Sequence, residues 1–291
     1  MFAFSFMRIA EALQSLTAYF ERHGVERPGT DSEWLLSFVI GCRRLELFLE
    51  PDRVLTEEQT ERLRAYGVRR AQREPLQYIV GSVDFFGQKL QVDPRVLIPR
   101  SETEELVYQV RQYVGKRAAD GWKIETVLDL GTGSGAIAIA LTALFPNMKA
   151  TAVDRSAEAL AVAEQNAIAN NVRERICFVQ SDWFQNVKGI FDVIISNPPY
   201  LSEEECRSAQ PEVRCFEPKS ALVADENGLA DLKHILVRAP SFLNCSGCVV
   251  TETGCGQHAA LHAYAQTIGY AKTRSTLDLS HRERYFWAWT A

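Results

Sequence analysis

From about residue 125 onward the chain alternates between short apolar runs and segments of helical length, and this rhythm limits the fold more than any other feature. TVLDL reads as a buried strand, SGAIAIALTALF as a helix stopped by Pro146, and KATAVD as a second strand. AEALAVAEQNAIANN then reads as a helix, with RICFVQSD and FDVIISN as two further strands. Such alternation builds a parallel sheet with helices on both faces and a ligand beyond the carboxyl ends of the strands. GCVVTETG and the pair TRSTLDLS and ERYFWAWT add three more strands. Ahead of this region the periodicity is helical, in IAEALQSLTAYF, DSEWLLSFVIG and EEQTERLRAYGVRRA. Between the two regions SVDFF-GQ-KLQVD alternates about a Gly turn, as a β-hairpin does. The expected division is therefore a helical domain over 1–80, a hairpin linker over 81–98 and an α/β domain over 99–291. Asp31, Thr56 (with Gln59) and Ser101 (with Glu104) are the expected helix N-caps.

At 291 residues, with 46% hydrophobic and 24% charged, the chain can bury a full core without disulfides, which excludes disordered and fibrous classes. A net charge of −5 gives no whole-molecule attraction to phosphate backbones, so no direct nucleic-acid partner is expected. The start, MFAFSFMRIA, lacks a positive n-region and a cleavage site and reads as the beginning of a helix. The longest apolar stretch, AIAIALTALF, is far short of the ~20 residues that cross a bilayer. No membrane association and a cytoplasmic location are expected. Seven scattered cysteines suit reduced thiols. Cys245-x-x-Cys248 and Cys255-x-x-His258 stand only six residues apart, too close for the usual zinc sites, and read as small buried hydrophobes. The five histidines show no catalytic or ligand spacing, and no metal is expected.

Each strand of the α/β region ends in something polar. The first runs into Gly131-Thr132-Gly133-Ser134-Gly135, a loop whose glycines let the backbone turn and a ligand approach, with a helix N-terminus behind it. Asp154 closes the second strand, 19 residues beyond Gly135, where an acid commonly binds ribose hydroxyls. Asp182 and Trp183 close the third; a carboxylate accepts from an exocyclic amine and an indole covers a purine face. The fourth ends in Asn197-Pro198-Pro199-Tyr200. Two prolines make a rigid turn, and Pro198 restricts Asn197 to extended geometry. The Asn197 amide oxygen and a proline carbonyl are both acceptors and can together hold the two hydrogens of a planar NH2 group, against which Tyr200 can stack.

With these residues on the page, Gly131–Gly135, Asp154 and Asn197–Tyr200 resemble the class I S-adenosylmethionine-dependent methyltransferases that modify planar NH2 groups. Further stretches narrow the resemblance to the HemK/PrmC family, glutamine methyltransferases of peptide chain release factors. These are Arg73–Gly81, Val96–Glu104, Phe216–Leu222 with Gly228-Leu229, and Glu252-x-Gly254-x-x-Gln257. The likeness runs from about Asp31 to the C-terminus, with Ser101 standing where the family usually has Pro. It implies a Rossmann-like seven-stranded sheet with its last strand antiparallel, preceded by a small all-α domain and a hairpin linker. It also implies S-adenosylmethionine as cofactor and release factors as protein substrates. The expected cofactor contacts are Gly131, Thr132, Gly133, Ser134, Gly135, Asp154, Asp182, Trp183 and Asn197. Asn197, Pro198, Pro199 and Tyr200 are expected at the substrate, with Asn197, Pro198 and Tyr200 in the catalytic role.

Three other readings compete. A DNA adenine methyltransferase uses the same turn on a flipped base but wants a basic cleft and a target-recognition domain. An NAD-dependent dehydrogenase explains the glycine loop but gives Asn197–Tyr200 no role. A non-catalytic cofactor-binding scaffold has no need of polar residues at all four strand ends. Residues 1–75 carry eleven Arg, no Lys and twelve acids, but no catalytic inventory, and are expected to dock the protein substrate.

Overall fold

The computed structural model describes residues 7–290. The first six residues of the expected helix start, MFAFSFMRIA, lie outside these residues; the first helix among the described residues begins at Ile9. Two compact units form: the chain up to Gly81 together with Gln210–Phe216, and Ser82–Ala209 with the chain from Glu217 onward.

The first unit is helical, with α1 (Ile9–Arg22), α2 (Pro28–Ile40), α3 (Glu46–Leu49), α4 (Glu57–Ala71) and α5 (Leu76–Val80). Ile9, Ala12, Leu16 and Phe20 recur on one face of α1 and pack with Leu35, Leu36, Val39 and Leu63. Thr56 caps α4 as expected, its hydroxyl accepting from the Gln59 N–H while the Gln59 side chain accepts from the Thr56 N–H. Asp31 is not a cap. The helix starts three residues earlier at Pro28, whose fixed φ and missing N–H suit a first turn. Asp31 instead accepts from Arg70 Nε at 2.7 Å. Arg70 also reaches Glu212 at 2.8 Å and Arg73 reaches it at 2.6 Å, which ties the Pro211–Phe216 helix to α4 and the turn after it.

The second unit opens with the hairpin of β1 (Ser82–Phe85) and β2 (Gln88–Gln91), closed by Phe86 and Gly87 at φ 48° and 78°. Positive φ at both turn residues matches strand twist, but it strains a bulky Phe. The Phe86 N–H is met by Glu104 Oε1 at 2.5 Å. That contact overturns the capping box expected at Ser101. In α6 (Ser101–Ala119) the N-cap is Arg100, and Glu104 is taken by the hairpin turn.

The sheet strands are β3 (Thr126–Leu130), β4 (Lys149–Asp154), β5 (Ile176–Gln180), β6 (Phe191–Ser196), β7 (Leu243–Glu252), β8 (Lys272–Leu277) and β9 (Glu283–Trp289). They lie in the order β5-β4-β3-β6-β7-β9-β8, and only the last strand, β9, runs antiparallel to its neighbours. This is the seven-stranded sheet expected. Alternate residues divide the core by the period of two. Val127, Val193, Ile195 and Val250 pack with α6 and α7 (Ala136–Leu144) on one face. Leu128, Ile194 and Val249 pack with the Ala230–Arg238 and His258–Thr267 helices on the other. β3 and β6 run parallel, but successive strands are added outward from β3 on one side and from β6 on the other, so their carboxyl ends form the switch point. Ser196 Oγ donates to the Leu130 carbonyl at 2.7 Å and stitches those two ends together.

Buried Asn166, on α8 (Ala157–Ala169), accepts from the Gln91 N–H and donates to the carbonyls of Gln91 and Ser134. One amide thereby joins the hairpin, the helix and the glycine loop. Cys248 is buried as expected, whereas Cys245 and Cys255 are exposed, because the irregular start of β7 and the loop after it run over the surface. Among the described residues no cluster of side chains could hold a metal ion, and no helix is long and apolar enough to cross a membrane.

Candidate active site

The carboxyl ends of β3, β4, β5 and β6 open onto a cavity of about 330 Å³, within the range of small-molecule sites. Gly131 and Gly133 line it after β3, Asp154 at the end of β4, Ser181, Asp182 and Trp183 after β5, and Asn197 and Pro199 after β6. The hairpin exit, Pro94–Leu97, and Asp231 complete the near walls.

Thr132, Ser134 and Gly135 do not line the cavity. Thr132 donates to the Asp129 carboxylate at 2.6 Å, and the Ser134 carbonyl is held by Asn166. Gly135 sits at φ 83°, where a Cβ would stand 3.1 Å from that of Ala163, so a glycine lets α7 pack on α8. These three residues build the loop from behind. Asp129 is fully buried, and burial, resisted by the bonds from Thr132 and the Ala138 N–H, pushes its carboxyl up to about 7.

Asp154 holds the loop from the front, accepting from the Gly133 N–H at 3.0 Å and from the Ser156 N–H at 2.9 Å. Trp183, at φ 48°, faces the loop: a Cβ on Gly131 would lie 3.9 Å from its ring. Its indole donates to Asp231, a residue the sequence reading did not single out; burial, only partly offset by that bond, raises the Asp231 carboxyl above the usual aspartate range.

The Asn197–Tyr200 turn is anchored by a buried acid. Asn197 Nδ2 donates to Thr103 Oγ1 at 3.0 Å, and Thr103 Oγ1 donates to Glu252 Oε2 at 2.7 Å. Tyr200 donates its hydroxyl to Glu252 Oε1 at 2.9 Å. The Tyr200 ring packs in the core and under the Arg284 guanidinium, 5.9 Å away, rather than against the cavity. Burial, then the neighbouring Glu252 carboxylate, pushes the phenol well above its usual range. Pro198 is buried, leaving Pro199 as the proline on the cavity wall.

A second brace lies behind the turn. Leu201 donates to the Leu222 carbonyl and accepts from the Ala224 N–H, both at 3.0 Å. Gln257 Nε2 donates to the Tyr200 carbonyl at 3.0 Å while its Oε1 accepts from the Gly254 N–H. Gly228, at φ 83°, passes so close that a Cβ there would fall 2.0 Å from the Tyr200 oxygen; no other residue fits. Arg100 pairs with buried Glu217. Thr103, Glu217, Glu252 and Gln257 thus belong to the site's frame. The sequence signal for them was their place in motif stretches outside the glycine loop that carried no assigned role.

Comparison with known proteins agrees with this architecture. Residues 11–81 match the PrmC N-terminal domain and residues 117–213 the methyltransferase small domain. The release factor glutamine methyltransferase of Chlorobaculum tepidum is 41% identical over 249 residues, covering 84% of each chain. That of Salmonella typhimurium is 39% identical over 260 residues, covering 89% of this chain and 91% of the relative.

The chain belongs to the release factor glutamine methyltransferase family.

It is therefore an S-adenosylmethionine-dependent methyltransferase, and the fold agrees. The N-terminal domain of human METTL16, solved in complex with SAH, superimposes with a TM-score of 0.52 at 17% identity, covering 82% of this chain and 86% of that one. At such identity the likeness speaks for the fold alone.

Proposed function

We propose that the chain transfers a methyl group from S-adenosylmethionine to the side-chain amide nitrogen, N5, of the glutamine in the Gly-Gly-Gln motif of class 1 peptide chain release factors. The observation that carries this reading is that Asn197 and Pro199 share one cavity with Gly131, Gly133, Asp154 and Trp183. The Asn197 amide, an acceptor for a planar NH2 group, and a nucleoside-sized site open on the same space.

The residues present fit the cofactor. Asp154 offers acceptors for the ribose hydroxyls, Asp182 for the exocyclic amine and Trp183 a flat face, and the N–H groups of the glycine loop lie beside an anion-binding helix start. Bound there, S-adenosylmethionine supplies an electrophilic methyl group.

The chain's own task is to prepare the nucleophile. An amide nitrogen is poor because its lone pair is delocalised into the carbonyl. Asn197 Oδ1 and the Pro198 carbonyl accept the two amide hydrogens, aim the nitrogen and follow the positive charge that grows on it. The proton leaves a cationic product readily, so a strong base is not required. Among the described residues neither histidine nor cysteine lines the cavity, consistent with that chemistry. Release factor selection falls to contacts beyond the cavity, and residues 1–80 are the segment with area to offer.

Asn197→Ala should lower the methylation rate by about 10²–10³ while cofactor affinity stays within a few-fold. Rapid-quench kinetics beside calorimetry measures both, and a near wild-type rate would exclude the amide clamp.

A further inference from the structure

We propose that Thr103 and Glu252 are positioning residues: a buried hydrogen-bond relay that holds the Asn197 amide in one of its two flips, oxygen toward the substrate. The inference rests on the reading of Asn197 as acceptor for the substrate NH2. An asparagine amide has nearly the same shape in both flips, so only its neighbours decide which atom faces the site. With the amide reversed, its NH2 would meet the substrate NH2, donor against donor, and the clamp would fail.

The relay sets the direction from its buried end. As a carboxylate, Glu252 has two oxygens that can only accept. Tyr200 occupies Oε1 at 2.9 Å and Thr103 occupies Oε2 at 2.7 Å. With its one proton given to Glu252, the Thr103 hydroxyl can only accept from Asn197. Asn197 meets that demand with Nδ2 at 3.0 Å, which turns Oδ1 the other way. Glu252 and Thr103 are 1% and 4% exposed, so water cannot substitute for either. Burial pushes the Glu252 carboxyl above the usual glutamate range, while the hydrogen bonds from Thr103 and Tyr200 and the Arg284 guanidinium, packed on the Tyr200 ring, act against it and favour the ionised acid. Neither Thr103 nor Glu252 lines the cavity, so neither touches a substrate there.

The test compares Thr103→Val, Thr103→Ser and Glu252→Gln, each alone, and Thr103→Val also combined with Asn197→Ala, on intact release factor. Thr103→Val keeps the shape and removes the relay; kcat should fall about 10- to 100-fold with KM and cofactor Kd within about twofold. Thr103→Ser restores the hydroxyl and should recover kcat to within about threefold. Glu252→Gln introduces a donor into the relay and should also lower kcat. In the Asn197→Ala background Thr103→Val should not lower the rate further, because Thr103 acts on the site only through that amide. A merely structural role would instead shift cofactor Kd and slow the Asn197→Ala enzyme as well. Wild-type kcat in Thr103→Val, or in Glu252→Gln should the valine variant not fold, overturns the relay while leaving the clamp intact; additive losses do the same. A wild-type rate in Asn197→Ala alone would overturn the underlying reading.

Discussion

Asp154 commits both carboxylate oxygens to backbone N–H groups, those of Gly133 and Ser156, while lining the cavity. A carboxylate has about four lone-pair sites, so accepting from ribose hydroxyls does not require either backbone bond to break. Asp154→Ala removes the ribose acceptors and also frees the Gly133 N–H. Cofactor affinity should drop by about 30- to 1000-fold, roughly 2–4 kcal/mol. Calorimetry on the variant, with thermal denaturation to confirm that it is folded, measures this. Unchanged affinity in a folded variant would show that another group binds the ribose.

At the scale of elements, the ion cluster on α4 does for the Pro211–Phe216 helix what an apolar seam does elsewhere. Arg70 is 5% exposed and bridges Asp31 and Glu212. Burial works against charge on Glu212, but hydrogen bonds from Arg73 and Arg70 outweigh it and hold its carboxyl below the usual glutamate range. A depressed carboxyl stabilises the fold above its unfolded pKa, and that contribution is lost as pH falls through the lower folded value. Glu212→Gln should therefore lower the melting temperature at pH 7, and the gap from wild type should close in the acid range. A gap that persists unchanged at low pH would mean that shape, not charge, holds this helix. The same cluster explains what the sequence concealed. The β-strands and the long helices were legible because periods of two and 3.6 mark burial directly. Asp31 and Ser101 carried cap signatures, but Arg70 claimed the first carboxylate, and the Phe86 N–H claimed Glu104, the partner Ser101 needed. Short helices such as Glu203–Ser208 and Pro211–Phe216 are too brief for any period to show. In the candidate site the strand-end residues could be read locally; Thr103, Glu252 and Asp231 could not, because Thr103 lies 94 residues from Asn197 and 149 from Glu252, Glu252 lies 52 from Tyr200, and Asp231 meets the distant Trp183 only in the folded chain.

For the whole molecule, a glutamine side chain is too small to select a protein. Stable protein–protein recognition buries about 1,200–2,000 Å², contact area that must come from surface outside the cavity. The helical unit exposes Trp34, Leu45, Phe48 and Leu49 and carries eleven arginines in its first 75 residues, a composition suited to a protein surface. kcat/KM on intact release factor should exceed that on a Gly-Gly-Gln peptide by about 100-fold, mostly through KM. Equal efficiency on the two would remove docking from the account. The central claim is narrower: this chain places one methyl group on one amide nitrogen. Mass spectrometry of a tryptic digest of release factor, incubated with the enzyme and S-adenosylmethionine, tests it most directly. The expected result is a gain of about 14 Da, one methylene, confined to the Gly-Gly-Gln glutamine and formed about 10²–10³ times more slowly with Asn197→Ala; an unmodified glutamine, or methylation on another residue, would contradict it.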